Sequence, residues 1–302
     1  MCETDIVFVI LNYNIVAETI QCIESIKNNI DTSSYMIVCI DNASPNMAGE
    51  KLKDKYVNDN DVEVVILENN IGFARGNNEG LKKAQNYNPK FIVCMNNDMV
   101  FIQKNFWKKL SQLDLIDNIA VIGPKIITKY GVLQGVKKAL KPLSEYKDEL
   151  LFHSSIIAKG EFKKNTESES RMIIKKVFPL VNKIRLLIRT KTRTFLAIHK
   201  NEPEIKNAIL HGSFLIFTRN WVDQGGQFDE RTFLYKEEEL LYIKVKKSGF
   251  DTLYCPDLYI IHLEDVSTDE SFKNDKRVRT SLYKTESLNV LIEEMENFVD
   301  EK

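Results

Sequence analysis

Five short apolar runs alternate with amphipathic stretches over the first 125 residues, and this rhythm narrows the fold more than any other feature. The runs span 6–11, 36–40, 62–67, 91–95 and 120–122. Each is rich in Val and Ile and continuous rather than alternating. Continuous apolar character marks strands covered on both faces by helices. The segments between them, 16–28, 48–56, 74–86 and 106–113, read as helices. The βαβαβ order predicts a parallel, doubly wound sheet. In such sheets ligands bind beyond the carboxyl ends of the strands.

Those ends are polar. Asn12-Tyr13-Asn14 follows the first run, Asp41-Asn42-Ala43-Ser44-Pro45 the second, Asn69-Asn70-Ile71-Gly72-Phe73 the third and Asn96-Asn97-Asp98 the fourth. Asn and Asp are also ordinary turn residues, so any one loop can be explained by strand termination alone. Four such loops on one rim predict a cleft. Gly72, Gly76 and Gly80 recur every four residues on one helix face, where glycine admits close approach of backbone or ligand. The spacing is not the GxGxxG of a dinucleotide site, and no glycine-rich phosphate loop follows the first strand.

The rest of the chain changes character. From about 140 to 207 the α/β rhythm is lost. Residues 171–200 hold nine Lys or Arg and no acid, so the net charge of −1 divides into +9 here and −10 elsewhere. At the helical period, Ile173, Val177, Leu180, Val181, Ile184, Leu187 and Ile188 fall within an arc of roughly 120°. An apolar stripe flanked only by cations is the pattern of an interfacial helix on anionic lipid; packing on the protein's own core or a dimer contact gives the same stripe. Order resumes at 209–218, an apolar strand interrupted by Gly212-Ser213. A helix at 237–248, short strands at 252–254 and 259–261, and a terminal helix at 276–299 complete the reading. The division expected is 1–139, 140–207 as a variable basic insertion, 208–268 returning to the first domain, and 269–302 as a helical tail.

Composition excludes several classes. With 43% hydrophobic residues over 302, the chain can bury a sizeable core. Near-neutral charge argues against a nucleic-acid binder. No apolar run approaches the ~18 residues of a membrane span. Five scattered cysteines and an acidic start without a long apolar stretch suit a reduced, cytoplasmic protein.

Taken in order, residues 9–14, 41–44, 69–80 (NNIGFARGNNEG), 96–98, 211–220 (HGSFLIFTRN), 228–241 (FDERTFLYKEEELL) and His262 followed by Ser267 resemble the family 2 glycosyltransferases of the glycosyltransferase A fold. The likeness is greatest to bacterial rhamnosyltransferase-like enzymes of surface-polysaccharide synthesis, and covers 6–125 and 209–267. It implies a Rossmann-like nucleotide-binding half, a mixed central sheet and an acceptor-binding half. It implies transfer of a sugar from a nucleoside diphosphate to an acceptor hydroxyl with inversion, the acceptor being a saccharide or lipid-linked saccharide at the inner membrane face. Asp41, Asn12 and Ser44 would line the base and ribose pocket, and Gly72, Phe73, Arg75, Asn77 and Asn97 would border the nucleotide. Asp98 and His262 would hold Mg²⁺ or Mn²⁺ against the diphosphate, with Asn96 standing where the family has the first Asp of Asp-x-Asp. Glu238, or next to it Glu237, would be the general base. Three adjacent carboxylates raise one another's pKa, which suits that role, although acids at a helix start are favourable without any function. His211, Gly212, Ser213 and Phe214 would shape the acceptor site. A degenerate subunit that binds a partner enzyme is the competing reading, favoured by Asn96 and opposed by Asp98 and Glu238. Oligomeric state is left open.

Overall fold

A computed structural model describes residues 3–113, 118–159, 190–264 and 276–300. One sheet runs through the molecule, its strands in the spatial order 62–66, 35–41, 4–12, 89–96, 214–218, 119–128, 251–262 and 99–100. Its first half is the parallel unit expected from sequence: β1 (Thr4–Asn12), β2 (Tyr35–Asp41), β3 (Val62–Ile66) and β4 (Pro89–Asn96). The helices between them are α1 (Ala17–Asn29), α2 (Ala48–Lys55) and α3 (Phe73–Gln85). Alternate β1 residues feed two cores. Ile6, Phe8 and Ile10 pack with Cys22, Ile23 and Ile26 of α1, while Val7 and Val9 pack with Ala74, Leu81 and Ala84 of α3. All five of these β1 side chains are sealed from solvent, and each contributes about 1.5–3 kcal/mol of burial. Two-sided burial is thus the reason the run is continuous.

The second half is mixed. After β5 (Met99–Val100) and α4 (Phe106–Ser111) come β6 (Ile119–Thr128) and β7 (Leu133–Gln134). Then follow α5 (Leu143–Lys159), a helix over 190–199 (α6), β8 (Ile205–Lys206), β9 (Phe214–Thr218), α7 (Arg219–Asp223), α8 (Glu237–Lys247), β10 (Asp251–His262) and α9 (Lys276–Asp300). β9 lies antiparallel between β4 and β6, and β10 runs parallel to β6.

Three boundaries differ from the sequence reading. The run at 120–122 lies near the start of a ten-residue strand, all of it buried, that continues through Gly123-Pro124. The two short strands at 252–254 and 259–261 are one strand, β10, with a register shift between Cys255 and Tyr259; Pro256 has no N–H for the ladder and falls within it. The strand expected from 209 begins at Phe214, and Ile209 makes only an isolated bridge to Lys137. The terminal helix is a wall rather than a tail: Leu288, Leu291 and Met295 of α9 form a third core with Tyr146 of α5 and Leu240 and Ile243 of α8. The whole apolar stripe, 173–188, and most of the basic segment 171–200 lie outside the described residues, as does Ser267.

Candidate active site

A cleft of about 640 Å³ opens at the carboxyl ends of β1, β2 and β4. Leu11, Tyr13, Asn42, Gly72, Phe73 and Asn97 line one wall. His211, Gly212, Ser213 and the stretch 233–239 line the other, with Lys137, Glu149 and Lys284 beside them.

Behind the first wall lies a buried polar network. Asn12 Nδ2 donates to Asp41 Oδ1 at 2.7 Å, and Asn97 Nδ2 donates to Asn12 Oδ1 at 2.9 Å. Asp41 also accepts from Ser44 Oγ (2.6 Å) and from the Ser44 N–H (2.9 Å). Asn12 and Asp41 are almost wholly sealed from solvent. Of the expected nucleotide residues, Gly72, Phe73 and Asn97 therefore reach the cleft wall, whereas Asn12, Asp41 and Ser44 tie the strand ends together behind it. Arg75 and Asn77 point elsewhere: Arg75 Nε donates to the Glu230 carbonyl, and Asn77 Nδ2 to the Phe73 carbonyl of its own helix. Of the three spaced glycines, two serve packing. A Cβ on Gly80 would lie 2.1 Å from Val9 Cγ1, and one on Gly76 2.7 Å from Leu11 Cδ1.

Gly72 has a different task. Its φ of 88° is left-handed, and a Cβ there would lie 2.5 Å from the Phe233 carbonyl oxygen. The Phe73 N–H donates to that oxygen at 2.8 Å. This joins the start of α3 to the loop before α8. Asn42, missed in the sequence reading, braces the same turn by donating to the Gly72 carbonyl and accepting from the Ile71 N–H.

β5 pairs antiparallel with the end of β10, Met99 opposite His262. That register brings Asp98 and His262 together: His262 Nε2 is 3.2 Å from Asp98 Oδ2. Both residues are buried, and Asp98 Oδ1 has no hydrogen-bond partner. His262 Nδ1 bonds Gln134 Oε1 at 2.8 Å. A buried carboxylate with an orphaned oxygen beside an imidazole fits a hard dication that draws its remaining ligands from phosphate and water. Among the described residues no group of three His, Cys, Asp or Glu forms a complete cage.

The acidic turn begins with Tyr235 and Lys236 in left-handed conformations, φ 80° and 66°. Glu238 Oε1 accepts from the Gly212 N–H at 2.7 Å, and Oε2 from Lys137 Nζ at 3.2 Å. Lys137 also reaches the buried Glu239 at 3.0 Å. Burial alone would lower the Lys137 pKa; the Glu239 and Glu238 charges outweigh it and hold the ammonium above its ordinary value. Glu237 forms no ion pair among the described residues, and only the backbone N–H groups of Glu237 and Tyr235 oppose its rise. Burial, then the Glu238 and Glu239 charges, push it up to about 7, and its Oε1 is sealed without a partner. His211 Nδ1 is 4.0 Å from Glu238 Oε1, and the His211 and His262 rings are 6.0 Å apart. Burial lowers the His211 pKa. His211, Gly212 and Ser213 thus lie between the Asp98–His262 pair and the acids. Phe214 does not; it is fully buried, edge-on to Phe106.

Comparison with known proteins fits this geometry. No curated protein matches the chain. Among solved structures, GalNAc-T7 with UDP, GalNAc and Mn²⁺ superposes with a TM-score of 0.59 at 15% identity, covering 87% of this chain and 44% of that one. The S. aureus TarS 1-349 structure superposes with a TM-score of 0.50 at 16% identity, covering 98% of this chain and 71% of that one. This chain thus spans less than half the length of the GalNAc-T7 chain. At these identities the likeness shows the fold, the mixed α/β arrangement of the glycosyltransferase A type. The model of Glycosyl transferase family 2 matches residues 7–224, and with nearly three-quarters of its length so matched the chain belongs to that family.

Proposed function

We propose that the protein transfers a sugar from a nucleoside diphosphate to an acceptor hydroxyl with inversion at the anomeric carbon. One observation carries the reading: His211 of the cleft wall stands between a buried Asp98–His262 pair behind it, 6.0 Å from ring to ring, and an acidic turn of the cleft, 140 residues distant from Asp98 in sequence. The nucleotide lies along Tyr13, Asn42, Gly72, Phe73 and Asn97. Asn12, Asp41 and Ser44 fix that wall from behind. Asp98 and His262 would hold Mg²⁺ or Mn²⁺, which when bound supplies a positive charge against the departing diphosphate. The acceptor hydroxyl sits by His211–Ser213, and Glu238 takes its proton. Glu238 is chosen because its carboxylate accepts from the Gly212 N–H and lies 4.0 Å from His211, whose ring is 6.0 Å from that of His262. Family membership and the mixed fold support the reading.

A second assignment of the base has its own support. Burial and the neighbouring carboxylates push Glu237 up to about 7, which suits proton transfer at neutral pH. Turnover decides between them. Glu238→Gln should slow transfer by about 10²–10⁴-fold, the usual contribution of a general base, with donor affinity retained. A larger loss in Glu237→Gln would move the base by one residue. Absence of any nucleotide-sugar hydrolysis or transfer by the native protein, across a panel of donors with Mn²⁺, would leave the partner-binding subunit as the reading.

The acceptor is read as lipid-linked and the enzyme as peripheral to an anionic membrane on the cytoplasmic side. Among the described residues no helix is long and apolar enough to cross a membrane. Tyr130, Val132, Phe195 and Leu196 are large exposed apolar residues. The turn at Gly131 packs on Arg193 and Thr194, so these side chains belong to one face, and Lys129, Lys191 and Arg193 accompany them. Apolar tips among cations suit an anionic lipid surface.

A further inference from the structure

The orientation of one amide side chain determines which nitrogen of His262 carries the proton. Gln134 stands at the end of β7, which pairs with β6. Its Nε2 donates to Glu264 Oε1 at 2.7 Å, and its Oε1 faces His262 Nδ1 at 2.8 Å. Rotating the amide by half a turn would set its oxygen against the Glu264 carboxylate. The carboxylate thus fixes the amide, and the amide oxygen requires a proton on Nδ1. Nε2 is then left with its lone pair pointing at Asp98 Oδ2, 3.2 Å away. Two acceptors face each other there, and Asp98 Oδ1 is orphaned beside them. A second proton on the ring or a cation taking a lone pair from each would relieve the contact.

We infer that Gln134, backed by Glu264, is a positioning residue that holds His262 in the Nδ1–H tautomer and so keeps Nε2 available, with Asp98, to a divalent cation. The inference rests on the metal role given to Asp98 and His262 above. Without Gln134 the imidazole is free to carry its proton on Nε2 and donate it to Asp98 Oδ2. That single hydrogen bond would occupy both ligands at once. Groups that orient a metal-binding histidine commonly set its affinity by 10–100-fold.

Two measurements test this, neither of them activity. The first is Mn²⁺ binding to the full-length protein by electron paramagnetic resonance, for native, Gln134→Leu and the exchange Gln134→Glu with Glu264→Gln. The second is ¹⁵N NMR of His262 in the metal-free protein, because a cation on Nε2 would itself leave the proton on Nδ1 whatever stands at 134. The chain has four histidines, so a His262→Gln sample identifies the signal. Gln134→Leu should weaken Mn²⁺ binding by about 10–100-fold and move the proton to Nε2. The exchange keeps both hydrogen bonds with donor and acceptor reversed between 134 and 264, and should restore native affinity and the Nδ1–H signal. Native Mn²⁺ affinity in Gln134→Leu, or an unchanged Nδ1–H signal, would overturn the assignment of Gln134 alone. No Mn²⁺ binding by the native protein would overturn the metal role itself and this inference with it.

Discussion

Glu237→Gln should make the protein more stable in mild alkali and leave it unchanged in acid. Burial, then the neighbouring Glu238 and Glu239 charges, raises this carboxyl from 4.5 to about 7. Between those values the native state keeps a proton that the unfolded chain has released. Native stability therefore falls as pH rises through the window, and the loss is complete above pH 7. At about 1.36 kcal/mol per pH unit the gap amounts to roughly 3 kcal/mol. Glutamine has the same shape and no charge to desolvate, so the variant escapes the loss. Unfolding entropy near 2.1 cal/mol/K per residue turns that figure into a rise in Tm of about 5 °C for a chain of this length. Calorimetric melts of both proteins at pH 4.5 and 8.5, at fixed ionic strength and without ligands, measure it. The variant should melt about 5 °C higher than native at pH 8.5 and within about a degree of it at pH 4.5. Equal melting at both values, or a less stable variant in alkali, would refute the reasoning.

Three further outcomes are expected. Asp98→Asn should abolish metal-stimulated transfer while melting no lower than native, because its Oδ1 has no partner to lose; nucleotide-sugar hydrolysis with and without EDTA, together with a melt, checks both halves. Gly80→Ala should cost about 1–3 kcal/mol, since its Cβ would meet Val9 Cγ1 at 2.1 Å in a packed core. Gly135→Ala, with nothing within 4 Å, is the control expected to melt like native. In liposome flotation the native protein should rise with anionic vesicles and not with neutral ones, and Phe195→Ser with Leu196→Ser should rise less; equal recovery at the bottom would remove the membrane reading.

The parallel half of the fold was legible because two-sided burial writes itself as continuous Val/Ile runs. The antiparallel half was harder. Gly123-Pro124 looks like a strand end, yet β6 passes straight through it. Pro256 splits β10 in sequence, whereas in space the strand bulges and resumes. The polar strand ends announced a cleft, but not which residues face it. Asn12 and Asp41 turn inward to each other, and no local pattern distinguishes an inward Asp from an outward one. Asp98 and His262 were named from resemblance to a family; their contact depends on the β5–β10 register across 164 residues of sequence. Lys137 and Gln134 carried no signal at all. Each is a single polar residue in an irregular stretch, and their partners lie 101 and 128 residues away.

The acidic turn shows why the terminal helix belongs to the same packed unit as the cleft. Tyr235 and Lys236 hold two successive left-handed conformations, each costing of order 1–3 kcal/mol for a residue with a side chain. Such strain persists only where the surroundings over-determine it. Here they do, from three sides. The Phe233 carbonyl is held by the Phe73 N–H at the start of α3. The Phe233 ring stacks on Tyr283 of α9 at 4.7 Å, and Ser287 of the same helix donates to the Leu234 carbonyl. Lys236 is paired with Glu149 of α5 at 2.9 Å. The strained turn aims Glu237 and Glu238 at the cleft, and α5 and α9 hold it there. The segments with the weakest α/β signature in the sequence therefore set the geometry of the acids.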